Sequence, residues 1–84
     1  MKEEYRKATF ELFEELLIKY NLYSQITTEL FNWRHETLLE YFNMYFDLHC
    51  GDLNNFIWSG ESGVYSEWIN GLIKLREKYK IYPV

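Results

Sequence analysis

Apolar side chains recur every three or four residues along three segments of the chain. In the first segment, Lys2–Tyr20, they alternate with charged residues, which is the pattern of an amphipathic helix. The last segment, from about Val64 to Tyr79, has the same period and contains Gly71, whose missing side chain favours a close helix crossing. Pro83 prevents that helix from continuing.

The middle segment, from about Ser24 to His49, carries two apolar stripes rather than one. Two stripes predict one helix covered on two sides, by the fold and by a partner, or a break into two helices at the polar patch around Arg34. The sequence leaves both alternatives open. Six of the residues from 31 to 46 are aromatic and do not share one helical face: Phe31, Trp33, Tyr41, Phe42, Tyr45 and Phe46.

Turn-forming residues separate these segments. Ser24 is expected to cap the middle segment, and Gly51 is expected to end it in the left-handed conformation. Asp52 then caps a short turn, and the glycines and serines of residues 59–63 predict a loop. Ser62 or Ser66 is available to cap the last helix. The sequence therefore predicts an all-α bundle of three main helices plus a short helical turn, in one domain of 84 residues. A small α+β fold is the alternative, because tyrosine and phenylalanine favour strands.

Composition restricts the class of protein. The chain is 48% hydrophobic and 20% aromatic, which predicts an ordered globule rather than a disordered segment. Cys50 is the single cysteine, so no disulfide forms within the chain, and a reducing compartment is expected. The charged N-terminus differs from a signal peptide, and no apolar run is long enough to span a membrane. We therefore expect a cytoplasmic protein that does not span a membrane.

Charge is distributed unevenly along the chain. Residues 20–63 contain six acids and one arginine, whereas residues 64–84 carry four basic and two acidic side chains. The acidic middle disfavours direct binding to nucleic acid, because a duplex is held mainly by Lys and Arg on its phosphates. The basic cluster near the end is interleaved with Glu77 and has the pattern of a solvated helix face.

Cys50 and its neighbours are candidates for a metal or nucleophilic site. His49, Cys50 and Asp52 offer fewer ligands than the four of a structural zinc site, and His35 is distant in sequence. A thiol beside an imidazole is the basis of cysteine hydrolases, but adjacent helical residues point about 100° apart. The structural interpretation makes Cys50 a small buried apolar residue and His49 a helix end.

Pairs of carboxylates occur four residues apart, as in Glu11 with Glu15 and Glu36 with Glu40. Such pairs can bind hard cations or act as acid and base, although on an exposed helix they usually serve only solvation. Lys19 follows Glu15 at the spacing of a helical ion pair. The glycines do not form a phosphate-binding loop, and the aromatic residues lack the basic groove of a single-strand binding surface. We predict no catalytic residue, cofactor or metal.

An acidic, aromatic surface on a helical scaffold suits protein binding, because aromatic rings anchor interfaces and acids steer a basic partner. Trp33 is the best single anchor, since polar residues surround it in sequence. The alternative is that most of these rings simply form the core. The predicted partner-binding residues are Phe31, Trp33, Glu36, Glu40, Tyr41, Tyr45, Asp47 and Asp52.

In size, charge and lack of recognisable chemistry, the chain resembles the small acidic inhibitors of phages and mobile elements, such as anti-restriction and anti-CRISPR proteins, and bacterial immunity or antitoxin-type proteins. The resemblance implies a non-enzymatic inhibitor or adaptor that docks on another protein, such as the basic groove of a nuclease or polymerase. Binding is expected to weaken with added salt. A homodimer with a buried aromatic stripe is an alternative, and a small hydrolase using Cys50 is a third.

Overall fold

Four α-helices make up most of the chain in the computed structural model, which describes residues 3–34, 36–56 and 62–81. The described residues contain no strand, so the all-α prediction is confirmed. The middle segment forms two helices, which is one of the two alternatives that the sequence left open. The helices are α1 (Glu3–Lys19), α2 (Tyr23–Trp33), α3 (Leu38–Leu48) and α4 (Ser62–Tyr79).

The break between α2 and α3 has a local cause. Arg34 takes the left-handed conformation at φ 59° and ends α2. Thr37 then caps α3, where its Oγ1 accepts a hydrogen bond from the Glu40 N–H at 3.1 Å. The Glu40 carboxylate in turn accepts from the Glu36 N–H at 2.9 Å. Such reciprocal caps satisfy backbone donors that a helix start leaves free, so the polar patch begins a new helix.

The other three helices end with the same backbone arrangement. Asn21, Cys50 and Lys80 have φ values between 54° and 57°. In each case the N–H of the following residue bonds to the carbonyl five positions back, as in a Schellman motif. Gly51 also has a positive φ of 83°. However, Cys50 occupies the left-handed position that we expected Gly51 to fill.

Helix α1 lies at the centre of the bundle and runs antiparallel to α3 and α4. Lys19, at its C-terminal end, bonds to Glu67 near the start of α4. Tyr5, at the other end, has its ring centroid 6.4 Å from that of Tyr79 and 6.2 Å from that of Phe46. The C-terminal ends of α3 and α4 therefore meet at the N-terminus of α1.

Gly71 allows α1 and α4 to approach closely, as the sequence predicted. A Cβ atom on Gly71 would lie 2.6 Å from Cδ2 of Leu12, which is shorter than two carbon atoms tolerate. Without a side chain at this position, the two helices pack with little space between them.

Aromatic rings fill the centre of the core. The ring centroids of Phe13 and Phe56 lie 4.9 Å apart in an edge-to-face arrangement, and those of Phe56 and Trp68 lie 5.8 Å apart. The Trp68 Nε1–H donates to the Leu53 carbonyl at 2.8 Å, so its polar edge is satisfied. The predicted short turn after α3 thus contributes two buried residues, Leu53 and Phe56, to the core.

Two expectations from the sequence concern the region around α4. Of the predicted loop at residues 59–63, residues 59–61 lie outside the described part of the chain, and Ser62 and Gly63 already belong to α4. Ser66 lies inside the helix and does not cap it. No helix in the described residues has the length and apolar character needed to cross a membrane.

Candidate partner-binding site

Tyr41 belongs to the core, contrary to the prediction that it binds a partner. Its side chain is 4% exposed, and its ring centroid lies 5.8 Å from that of Phe56. Phe42 and Phe46 are likewise 0% and 2% exposed. For these three aromatic residues the core alternative is correct, because α3 turns this stripe towards α1. Tyr41 is therefore removed from the predicted site.

Tyr45, Asp47 and Asp52 lie towards the C-terminal end of α3, and each has a partner within the chain. The half-buried Tyr45 ring stacks on His49 with ring centroids 4.1 Å apart. Burial, together with the charge of Asp52, raises the pKa of the Tyr45 hydroxyl. Asp47 pairs with Arg6 at 2.8 Å. Asp52 accepts a backbone N–H two residues on, at 3.1 Å. These residues stabilise the fold at this end of the bundle.

Phe31, Glu36 and Glu40 lie at the other end of α3, where α2 meets α3. We call the segment formed by Arg34 and residues 36–40 the α2–α3 corner. Both of its glutamates are exposed, and Leu39 beside them is 50% exposed. Phe31, in the last turn of α2, is 83% exposed. Trp33 ends α2, and its side chain lies outside the described part of the structure.

The exposed side of α2 has an unusual composition. Among the described side chains of α2, Ile26 is buried at 1% exposure, Leu30 is half-buried and the other seven are exposed. Exposed helix surfaces are normally charged, yet none of the described exposed side chains of α2 is charged. We call these residues the α2 face: Tyr23, Ser24, Gln25, Thr27, Thr28, Phe31 and Asn32.

The hydroxyl groups at the middle of the α2 face are already satisfied. Thr27 Oγ1 donates to the carbonyl of Tyr23 at 2.7 Å, and Thr28 Oγ1 donates to that of Ser24 at 3.2 Å. A polar group that already has a partner loses less on leaving water than an unpaired one. Burial of these two hydroxyl groups against another protein therefore costs little desolvation energy.

The N-terminus of α2 lacks an acidic residue that would balance the positive end of the helix dipole. Leu22 stands at the N-cap position, no side chain caps the helix, and its first turn contains no acid. Ser24 was expected to cap this helix, but the helix begins at Tyr23, before it. The positive end of the helix dipole thus faces outward without a negative partner from its own first turn.

Other candidate chemistry in the chain has a structural explanation. Cys50 is exposed, which corrects the expectation of a buried thiol, while His49 ends α3 as predicted. Lys19 pairs with Glu67 at 2.6 Å rather than with Glu15. The described residues contain no group of three or more His, Cys, Asp or Glu side chains placed to hold a metal ion.

Glu67 links the end of α1 to the start of α4. Its carboxylate accepts hydrogen bonds from the Lys19 ammonium and the Tyr20 hydroxyl. These bonds lower the pKa of Glu67 and raise the pKa of both Lys19 and Tyr20. All three groups lie near solvent, so the cluster acts as a surface clamp between two helices.

The sequence contained a signal for the α2 face that the aromatic pattern concealed. Between Tyr20 and Asn32 the single charged residue is Glu29, in a chain that is 26% charged overall. Tyr23, Thr27 and Thr28 were not among the predicted partner-binding residues. A segment of helical length with a single charged residue indicates either a buried helix or an interface, and the exposure of the described α2 side chains distinguishes the two.

Comparison of the chain with protein-family models, with curated protein sequences and with solved structures finds no match. Its function therefore has to be inferred from the geometry of the site.

Proposed function

We propose that this chain is a non-enzymatic protein-binding module that docks through the α2 face and the α2–α3 corner onto a basic protein. The observation that carries the proposal is Phe31, which is 83% exposed on a helix whose described exposed side chains are all uncharged. Aromatic side chains that enter a dry pocket of a partner contribute a large share of interface energy. Burial of a phenylalanine side chain is worth roughly 1.5–3 kcal/mol.

The composition of the α2 face supports an interface rather than an ordinary solvated surface. Interface centres are depleted of charge and enriched in aromatic residues, with polar groups around them. Tyr23 and Phe31 supply the rings, and the other residues of the α2 face are polar and uncharged. The described part of α1, by contrast, carries mostly charged residues on its exposed side.

The distribution of acids favours a basic partner. Residues 20–63 contain six acids and one arginine, and Glu36 and Glu40 are exposed beside the α2 face. Exposed acids speed the encounter with a positively charged surface and add specificity. A protein with a basic nucleic-acid-binding groove, such as a nuclease or polymerase, has this surface. The chain would act as its inhibitor or adaptor.

Phe31→Ala tests the proposal against a matched control. Ile18→Ala removes another exposed apolar side chain, 69% exposed, from α1. Affinity capture followed by mass spectrometry identifies candidate partners, and titration then gives Kd for the parent and both variants. We expect Phe31→Ala to lose about 2 kcal/mol, or roughly thirtyfold in affinity, as for a hot spot. Ile18→Ala should bind like the parent.

Two results would contradict this function. One is a partner that binds Phe31→Ala as tightly as the parent, because the α2 face would then not be the site. The other is an association rate that does not change between low and high salt, because exposed acids that steer association are screened by ions.

A further inference from the structure

Tyr23, Thr27 and Phe31 form one ridge along the α2 face. Helical side chains four residues apart lie above one another, so the three share one side of the helix. At 1.5 Å per residue, Tyr23 and Phe31 are about 12 Å apart along the axis, with Thr27 midway. The ridge therefore has a large ring at each end and a small side chain at its centre.

We infer that the occupant of the α2 face in the free protein is a second copy of this chain, with the two α2 helices antiparallel about a two-fold axis at Thr27. In this arrangement Tyr23 of each copy meets Phe31 of the other, and the small threonines let the helices approach at the axis. An interface of this kind is isologous, because each contact occurs twice and the assembly closes at two copies.

The charges at the two ends of α2 favour the antiparallel orientation. The N-terminus of α2 has neither an acid in its first turn nor a side-chain cap, whereas the α2–α3 corner just beyond its C-terminus exposes two acids, Glu36 and Glu40, against one basic residue, Arg34. An antiparallel second copy brings these acids towards the positive end of the opposite helix dipole. A parallel copy would instead bring the two acidic corners together, where they repel.

This inference rests on the docking surface of the proposed function and adds a form of regulation to it. Self-pairing covers Phe31, so a foreign partner must displace the second copy. The apparent affinity for that partner then falls as the concentration of the chain rises, because only the unpaired fraction is competent to bind.

Charged substitutions at Thr27 test the arrangement, because Thr27 of one copy would face Thr27 of the other across the two-fold axis. Like charges there repel, and opposite charges attract. Thr27 is exposed, so Thr27→Glu and Thr27→Lys are expected to fold, and circular dichroism checks this. Analytical ultracentrifugation should show the parent dimerising with concentration, and each variant alone should dimerise about tenfold or more weakly. An equimolar mixture of the two variants should recover the dimer. Ser66→Glu and Ser66→Lys, on the exposed side of α4, should leave dimerisation as in the parent.

Three outcomes would overturn the self-pairing: a parent that stays monomeric from micromolar to millimolar concentration, a mixture no better than either Thr27 variant alone, or Ser66 variants that weaken the dimer equally. A monomeric parent that still captures a Phe31-dependent foreign partner overturns this inference alone. If the Thr27 variants dimerise only when mixed, but no foreign partner depends on Phe31, the proposed function alone is overturned.

Discussion

Helices α1 and α2 each expose seven described side chains, but the two exteriors differ in kind. On α1 six of the seven are charged, and Ile18 is the exception. On α2 none of the seven is charged. Phe31, at 83%, is the more exposed of the two aromatic residues among the seven, Tyr23 being 41% exposed. The interiors differ as well. Five residues of α1 are buried, whereas among the described side chains of α2 Ile26 is buried and Leu30 packs partly against the core.

This difference separates two tasks that apolar residues perform in so small a fold. The buried rings of α1 stabilise the bundle, and its charged exterior keeps the same helix in water. Helix α2 contributes fewer described residues to the core than α1, and its described exposed side chains are uncharged, so its composition is not explained by folding alone. Side chains that neither stabilise the core nor interact strongly with water are those expected at an interface.

The largest expected effect compares the same substitution on the two helices. Phe13→Ala removes a ring that is 0% exposed on α1, and we expect it to lower the free energy of unfolding by about 3–5 kcal/mol. Phe31→Ala removes a ring that is 83% exposed on α2 and should change stability by about 0.5 kcal/mol or less. Urea unfolding followed by circular dichroism measures both.

A large loss of stability in Phe31→Ala would place that ring in the core and remove the distinction between the helices. A small loss in Phe13→Ala would show that α1 is not the centre of the bundle. The capture experiment with Phe31→Ala can be interpreted only if its stability matches that of the parent.

The close contact between α1 and α4 predicts an intermediate effect. In Gly71→Ala the new Cβ overlaps Leu12, and overpacking of this kind costs about 1–3 kcal/mol, against a gain in helix propensity of about 1 kcal/mol. Gly63→Ala is the matched control, because its Cβ would meet the Tyr20 hydroxyl only at 3.9 Å. We expect Gly71→Ala to destabilise and Gly63→Ala to be neutral or stabilising in thermal unfolding.

Leu12→Ala makes this comparison sharper. With the Leu12 side chain shortened, Gly71→Ala no longer overlaps it and should become stabilising through helix propensity. If Gly71→Ala costs the same in both backgrounds, the crossing of α1 and α4 is looser than described, and the glycine is there for another reason.

The sequence predicted α1 to within one residue at each end, because its apolar period is uninterrupted and its polar side is charged. The start of α3 was also readable, since Thr37 and Glu40 have the spacing of a capping box. The sequence did not show in which direction α3 leaves α2. Phe31 and Phe42 belong to one apolar stripe along the sequence, yet the left-handed Arg34 between them turns one ring to solvent and the other into the core.

The partner-binding set shows the same limit. Phe31, Glu36 and Glu40 lie together at one end of α3, but Tyr41 is buried and Asp47 is paired with Arg6. Whether an acid or a ring is free depends on which helices pack against it, and a single sequence does not contain that information. The long-range pair of Lys19 with Glu67 was missed for the same reason, because Glu15 is the nearer acid in sequence.

The smallest expected effect concerns the charged exterior of α1, because Lys19 on that side pairs with Glu67 of α4. Glu67 has a pKa lowered by its bonds to Lys19 and Tyr20, so the unfolded chain binds its proton more readily than the folded one. The stabilisation is therefore present above the ordinary glutamate pKa and is lost as pH falls through the lowered value. The raised pKa values of Lys19 and Tyr20 have the opposite sense, so their contribution to stability is lost as pH rises through those values.

The test is a plot of melting temperature against pH. Glu67→Gln should flatten both the acidic and the alkaline arm of this plot, whereas Glu77→Gln, about 15 Å further along α4, should leave both arms in place. If the two variants give the same profile, the clamp between α1 and α4 contributes nothing measurable, and the difference between the helices rests on burial alone.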